Sequence, residues 1–104
     1  MSEFAGKTVI ITGGGGHGAR AFARLFARAG ANVAAFDIGE AALEGFKADM
    51  KAEGAEQRSC AVVCDLRDWD QLRAGVETVV AAFGGVDVLV NTATARTNPV
   101  WKAI

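Results

Sequence analysis

Hydrophobic positions along this chain follow two alternating rhythms. Short apolar runs occur at Val9-Ile10-Ile11, Val33-Ala34-Ala35-Phe36, Cys60-Ala61-Val62-Val63 and Val88-Leu89-Val90. Continuous runs of that length suit strands covered on both faces. They predict strands over 7–12, 32–36, 58–63 and 86–91. Between them, apolar residues recur every three to four positions, the period of an amphipathic helix. The first such segment, patterned from Ala21 to Ala29, is expected to bury Phe22, Leu25, Phe26 and Ala29. The second, over 40–53, is expected to bury Leu43, Phe46 and Met50. The third begins at Asp68 and carries Trp69, Leu72, Val76, Val79, Val80 and Phe83. Asp68 with Gln71 three residues on has the form of a capping box. Gly30, Gly54 and Gly84-Gly85 stand where helices stop. Arg20, Arg24 and Arg28 form a stripe expected to be a solvated face, as are Glu40, Glu44, Lys47, Lys51 and Glu53. The stretch from Thr92 to Ile104 has no clear period and contains the single proline, Pro99.

The order βαβαβαβ with short connections implies a parallel α/β sheet. Its 104 residues argue for one small domain, spanning 1–104. Hydrophobic residues are 51% and charged residues 22%, a globular balance. A net charge of −1 from interspersed residues builds no basic face for nucleic acid, and no polybasic segment addresses a membrane surface. No apolar run approaches a membrane span, and residues 1–6 lack the pattern of a signal peptide, so a cytoplasmic location is expected. Cys60 and Cys64 fall in or beside one strand, where extended geometry separates their Cα atoms by roughly 13 Å, beyond disulfide reach. With one histidine elsewhere, they make no metal site.

Candidate chemistry concentrates in Thr12-Gly13-Gly14-Gly15-Gly16-His17-Gly18-Ala19-Arg20. A strand that feeds a glycine loop and then a helix is a phosphate-binding device. Glycine lets the main chain approach an anion, and the helix start supplies unpaired N–H groups with a positive dipole end. Gly13-x-Gly15-x-x-Gly18 has the dinucleotide fingerprint spacing. Asp37 ends the second strand nineteen residues beyond Gly18, where that fingerprint places a carboxylate for an adenosine ribose. A carboxylate repels a 2′-phosphate, and the next residues, Ile38 and Gly39, offer no cation to offset it, so NAD is favoured over NADP. The alternative role for Asp37 is a turn or helix cap. His17 has two readings, a donor to a pyrophosphate oxygen or loop filler. Right-handed crossovers and the fingerprint predict strand order 3-2-1-4, a Rossmann-like doubly wound sheet, with helices one and two on one face and three on the other. The sheet would be incomplete, leaving the fourth strand as an apolar edge able to recruit a second copy.

Rival chemistries fail on composition. The loop lacks the Lys-Ser/Thr ending of a P-loop, and neither cysteine neighbours His17 in sequence to make a nucleophilic pair.

The glycine loop, Asp37, Cys64-Asp65-Leu66 and Asp87-Val88-Leu89-Val90-Asn91-Thr92-Ala93 stand in an order that resembles the N-terminal half of a short-chain dehydrogenase/reductase, over residues 5 to about 95. The resemblance implies that Gly13, Gly15 and Gly18 line the pyrophosphate, with Gly16 and His17 in the same loop. It further implies that Asp37, beside Ile38, holds the adenosine ribose, that Asp65 meets the adenine edge with Leu66 beside it, and that Asn91 and Ala93 pass along the nicotinamide-side ribose. The family loop reads Thr-Gly-x-x-x-Gly-x-Gly. Here His17 and Ala19 stand at the later glycine positions, so the loop either shifts register or carries a Cβ near the cofactor. Thr94 replaces the last glycine of the family's Asn-Asn-Ala-Gly. The family's serine and Tyr-x-x-x-Lys have no counterpart: the chain has no tyrosine, and its serines are Ser2 and Ser59. The implied activity, hydride transfer between a nicotinamide and an alcohol or carbonyl, would therefore belong to a complete protein, and this chain alone is expected not to turn over substrate. The alternatives are a non-catalytic nucleotide-binding or sensing module and a fragment that binds no cofactor.

Overall fold

The computed structural model describes residues 3–92. Along them run β1 (Thr8–Thr12), α1 (His17–Arg28), β2 (Asn32–Asp37), α2 (Glu40–Ala52), a 3-10 turn (Glu56–Arg58), β3 (Ser59–Val63), α3 (Trp69–Phe83) and β4 (Val88–Asn91). Each strand was expected, though β1, β3 and β4 start one or two residues later than the apolar pattern implies. The sheet is parallel with order β3-β2-β1-β4. Thr12 sits opposite Phe36 on one side and Asn91 on the other, so the strand ends share one edge of the sheet.

Residue alternation divides the core between the two faces. Val9, Ile11, Val33 and Ala35 pack with α1 and α2, where Leu43, Phe46 and Met50 are buried as expected. Ile10, Ala34 and Phe36 pack with Val79 of α3 on the other face. Gly75 lets α3 lie close to the sheet, since a methyl there would come 2.9 Å from the Phe36 ring.

One helix turns differently from its expected stripe, and another departs from it at two positions. α1 buries Ala19, Ala23 and Ala27, while Phe22 is 46% and Leu25 60% exposed. The small methyls bring the helix axis close to the sheet, which rotates the large side chains to its flanks. Phe26 keeps partial cover, edge-on to Phe4 with ring centroids 5.3 Å apart. The arginine stripe is not simply a solvated face. Arg20 Nε donates to Asp49 Oδ2 at 2.7 Å and Arg24 Nη1 to the same oxygen at 3.1 Å, while Arg28 forms a bidentate pair with Glu53. Glu53 is correspondingly covered. In α3 the expected stripe holds at Val79, with Leu72, Val76 and Phe83 packed beside it, and Gly75 shares the contact, whereas Trp69 is 76% exposed and Val80 is also exposed. Trp69 is the first helical residue.

The helix ends follow their predicted chemistry. Asp68 accepts the Asp70 and Gln71 N–H groups through Oδ1 at 3.0 and 3.2 Å. The Gln71 side-chain oxygen does not close the expected box; it accepts the Asp65 N–H at 2.9 Å. Gly30, Gly54 and Gly84 all take positive φ at helix ends. Arg58 reaches back to donate to the Ala27 and Ala31 carbonyls, tying the start of β3 to the turn between α1 and β2.

Candidate cofactor-binding site

Positive φ is required at Gly13 (+68°), where the chain leaves β1. Gly14 and Gly15 have tertiary reasons to lack a side chain. A methyl at Gly14 would lie 2.3 Å from the Ala35 Cβ, and one at Gly15 would lie 2.5 Å from the Ala42 Cβ. Strand β2 and the first turn of α2 therefore press on these two residues. Gly16 and Gly18 differ: a methyl at Gly18 would meet nothing within 4 Å, and one at Gly16 only the Gly13 carbonyl at 3.4 Å. Both are exposed. Of the glycines the fingerprint singles out, Gly15 answers to α2, while Gly18 borders open space.

The loop's own N–H groups are largely committed. Gly14 donates to the Phe36 carbonyl and Gly16 to the Gly13 carbonyl, each at 3.0 Å. Gly15 donates to Asp37 Oδ2 at 3.0 Å. The intrahelical ladder begins with Arg20 donating to the Gly16 carbonyl. The His17, Gly18 and Ala19 N–H groups lie ahead of it and face outward along the axis. Gly16 caps α1 without a side-chain hydrogen bond, and its first turn has no acidic residue, in contrast to Asp68 and Asp70 on α3. The positive end of this helix thus meets no carboxylate of its own element.

Asp37 fulfils the turn role weighed for it, because Oδ1 accepts the Gly39 N–H at 2.9 Å. That contact leaves its place at the sheet edge intact. Ile38 beside it is exposed. Cys64 is buried and its N–H donates to the Asp37 carbonyl at 3.0 Å, which sets Asp65 and Leu66 next to the β2 end. Burial, then the nearby Asp65 and Asp68 charges, pushes the Cys64 thiol up; burial alone does so at Cys60. Both thiols are free. The Asp65 carboxylate is clamped by Arg67, with Oδ1 accepting its N–H and Nε, each at 3.0 Å, and Oδ2 accepting Nη2 at 2.9 Å. Those hydrogen bonds hold Asp65 below the usual carboxylate range.

Across the crevice, Thr12 Oγ1 donates to Asn91 Oδ1 at 2.6 Å, and the Thr92 hydroxyl donates to the Thr12 carbonyl. These bonds tie the end of β4 to the start of the glycine loop. Ala93 lies outside the described residues. The structure therefore brings Gly13, Gly15, Gly16, His17, Gly18, Asp37, Ile38, Asp65, Leu66 and Asn91 to one edge of the sheet. Arg20, in the first turn of α1, is engaged with Asp49. Ala19, at one of the family's later glycine positions, has its methyl buried in the core rather than exposed at the loop. Sequence reasoning missed Gly14, Ala42 and Arg67. Arg67 was legible two residues after Asp65, whereas the other two emerge only when α2 packs on the loop. Among the described residues no group of His, Cys, Asp and Glu could hold a metal, and no helix is long and apolar enough to cross a membrane.

Parallel strands ordered 3-2-1-4, a glycine turn after the first, and acidic residues at or just beyond the second and third strand ends define a Rossmann-type half-sheet, with its crevice where the strand order reverses between β1 and β4. The short chain dehydrogenase family model matches residues 7–103, and the chain belongs to that family. It is 40% identical over 93 residues to the 2,5-dichloro-2,5-cyclohexadiene-1,4-diol dehydrogenase of Sphingobium indicum, covering 89% of this chain and 35% of that protein. Fluoren-9-ol dehydrogenase of a Terrabacter species is 36% identical over 93 residues, covering 89% of this chain and 25% of that protein. Among solved structures, the apo glucose dehydrogenase of Caenorhabditis elegans superposes with a TM-score of 0.84 at 35% identity, over 96% of this chain and 42% of that one. An NAD+-bound xylitol dehydrogenase gives 0.78 at 33% identity, over 84% and 33%. The chain thus spans about a third of the length of the curated relatives it matches first.

Proposed function

We propose that this chain forms the nicotinamide-dinucleotide-binding part of an oxidoreductase that transfers hydride between its cofactor and an alcohol or carbonyl substrate. The bound nicotinamide would supply the hydride acceptor or donor. The observation that carries the reading is the start of α1: three outward N–H groups, no acidic residue in the first turn, and exposed Gly16 and Gly18 beside them. These residues would hold the pyrophosphate, with His17 exposed at the same turn. Asp37 fits the adenosine ribose. Each carboxylate oxygen has two lone pairs and accepts one backbone N–H, leaving capacity for a sugar hydroxyl. Its charge disfavours a 2′-phosphate, which supports NAD over NADP. Ile38 and Leu66 would flank the adenine, Asp65 its edge, and Asn91 and Ala93 the nicotinamide-side ribose. Free thiols at Cys60 and Cys64 accord with a reducing, cytoplasmic setting.

Gly18→Leu tests the reading. The added side chain enters open space, so the fold should survive, whereas a pyrophosphate seated there would be blocked. Calorimetric titration of the parent should register NAD more tightly than NADP, and the variant should lose about tenfold or more in affinity, at least ~1.4 kcal/mol. Equal binding by a folded variant and its parent would remove the pyrophosphate from this helix start.

A further inference from the structure

Gly13–Gly16 are four consecutive glycines, and ordering glycine costs more backbone entropy than ordering any other residue. Such a loop keeps one shape only where its N–H groups are tied. Two of the ties are backbone to backbone, from Gly14 to Phe36 and from Gly16 to Gly13. The third is not. The Gly15 N–H donates to the Asp37 side chain, 22 residues further along. The other oxygen of that carboxylate holds the Gly39 N–H. One side chain therefore joins the β1–α1 loop to the β2–α2 turn. Bonds to a charged acceptor are stronger than the neutral amide ties on either side.

We propose that Asp37 is a positioning residue for the glycine loop, holding Gly15 so that the anion-facing start of α1 is formed before a ligand arrives. The role is separate from any bond to a sugar and rests on the nucleotide-binding reading above only where ligand affinity is concerned. It has a distinct consequence: loss of the carboxylate weakens the hold on phosphates even when the ligand has no sugar hydroxyl for Asp37 to meet.

Asparagine separates the two contacts. Its single side-chain oxygen keeps the local turn to Gly39, a contact asparagine favours. Its NH2 group then faces the Gly15 N–H, donor against donor. In the ligand-free 104-residue chain, Asp37→Asn should speed amide hydrogen exchange at Gly15 about five- to tenfold while Gly39 stays protected. Asp37→Ala should release both. Unchanged exchange at Gly15 in a folded Asp37→Asn protein would overturn the proposal. Affinity for ADP and for 2′,3′-dideoxy-ADP supplies the second readout. Asp37→Asn should lower both, the dideoxy compound by about three- to tenfold. A loss confined to ADP would mean that Asp37 acts through the sugar alone, again overturning the proposal. If the parent binds neither nucleotide, the nucleotide reading fails, and the exchange measurement still decides whether Asp37 holds the loop.

Discussion

Gly14 and Gly18 stand four residues apart and answer to different constraints. At Gly14 a methyl would overlap both the Cβ and the backbone Cα of Ala35, the latter at 2.8 Å, so β2 or the loop must move. At Gly18, inside α1 and facing open space, alanine meets nothing and improves helix propensity. Gly14→Ala should therefore lose about 1–3 kcal/mol or more in urea denaturation, whereas Gly18→Ala should be neutral or gain up to about 1 kcal/mol. Similar losses at both sites would show that the loop packs otherwise. The fingerprint spacing alone marks Gly13, Gly15 and Gly18 and passes over Gly14, because spacing records what a ligand needs and not what a neighbouring strand needs. Asp37 was legible from its distance to Gly18, and so was its competing turn role. Its bond to Gly15 was not, since that contact exists only once β1 and β2 are in register.

At the scale of elements, α1 has two unlike flanks. Its alanine ridge lies on the sheet, its arginine flank meets α2, and Phe22 and Leu25 lie away from the arginines. Helical period was readable in the sequence, but the direction of the buried stripe was not. Three alanines carry little hydrophobic weight beside two phenylalanines and a leucine, yet close packing of helix on sheet selects the small residues. The ion pairs give this junction a pH dependence. Hydrogen bonding from Arg20 is the largest influence on Asp49 and holds its carboxyl below the ordinary 3.8, and Arg28 holds Glu53 below 4.5. A carboxylate depressed by folding stabilises the native state at pH above its unfolded value, and that contribution vanishes as pH falls through the folded value. Asp49→Asn should thus lower the thermal midpoint by a few degrees at pH 7, and the gap from the parent should close below about pH 3.8. Because these groups are partly solvated, added salt should narrow the gap at neutral pH as well. A gap that persists unchanged at pH 3 would assign the loss to packing instead of charge.

For the whole molecule, the decisive feature is how the sheet is bounded. Among the described residues β4 pairs with β1 alone, so its other side presents unpaired backbone groups. Leu89 is 60% exposed, and Val88 and Val90 are half-buried. An apolar edge of this kind is a template for another strand. In relatives about three times as long, the further chain has ample length to supply that partner; for a polypeptide of these 104 residues on its own, a second copy is the expected partner. The same edge limits stability, since α3 packs over β2 and β3 and leaves Leu89 of β4 in solvent, and small domains have little stability to spare. Sedimentation of the 104-residue chain should accordingly show species heavier than 10.8 kDa that grow with protein concentration. Leu89→Lys should suppress them, because the side chain is already in solvent and its charge opposes strand addition without opening a cavity. The substitution should leave the far-ultraviolet spectrum unchanged. A parent that stays monomeric across the concentration range, with a cooperative melt above ~60 °C, would show that β4 is protected by something other than a second chain.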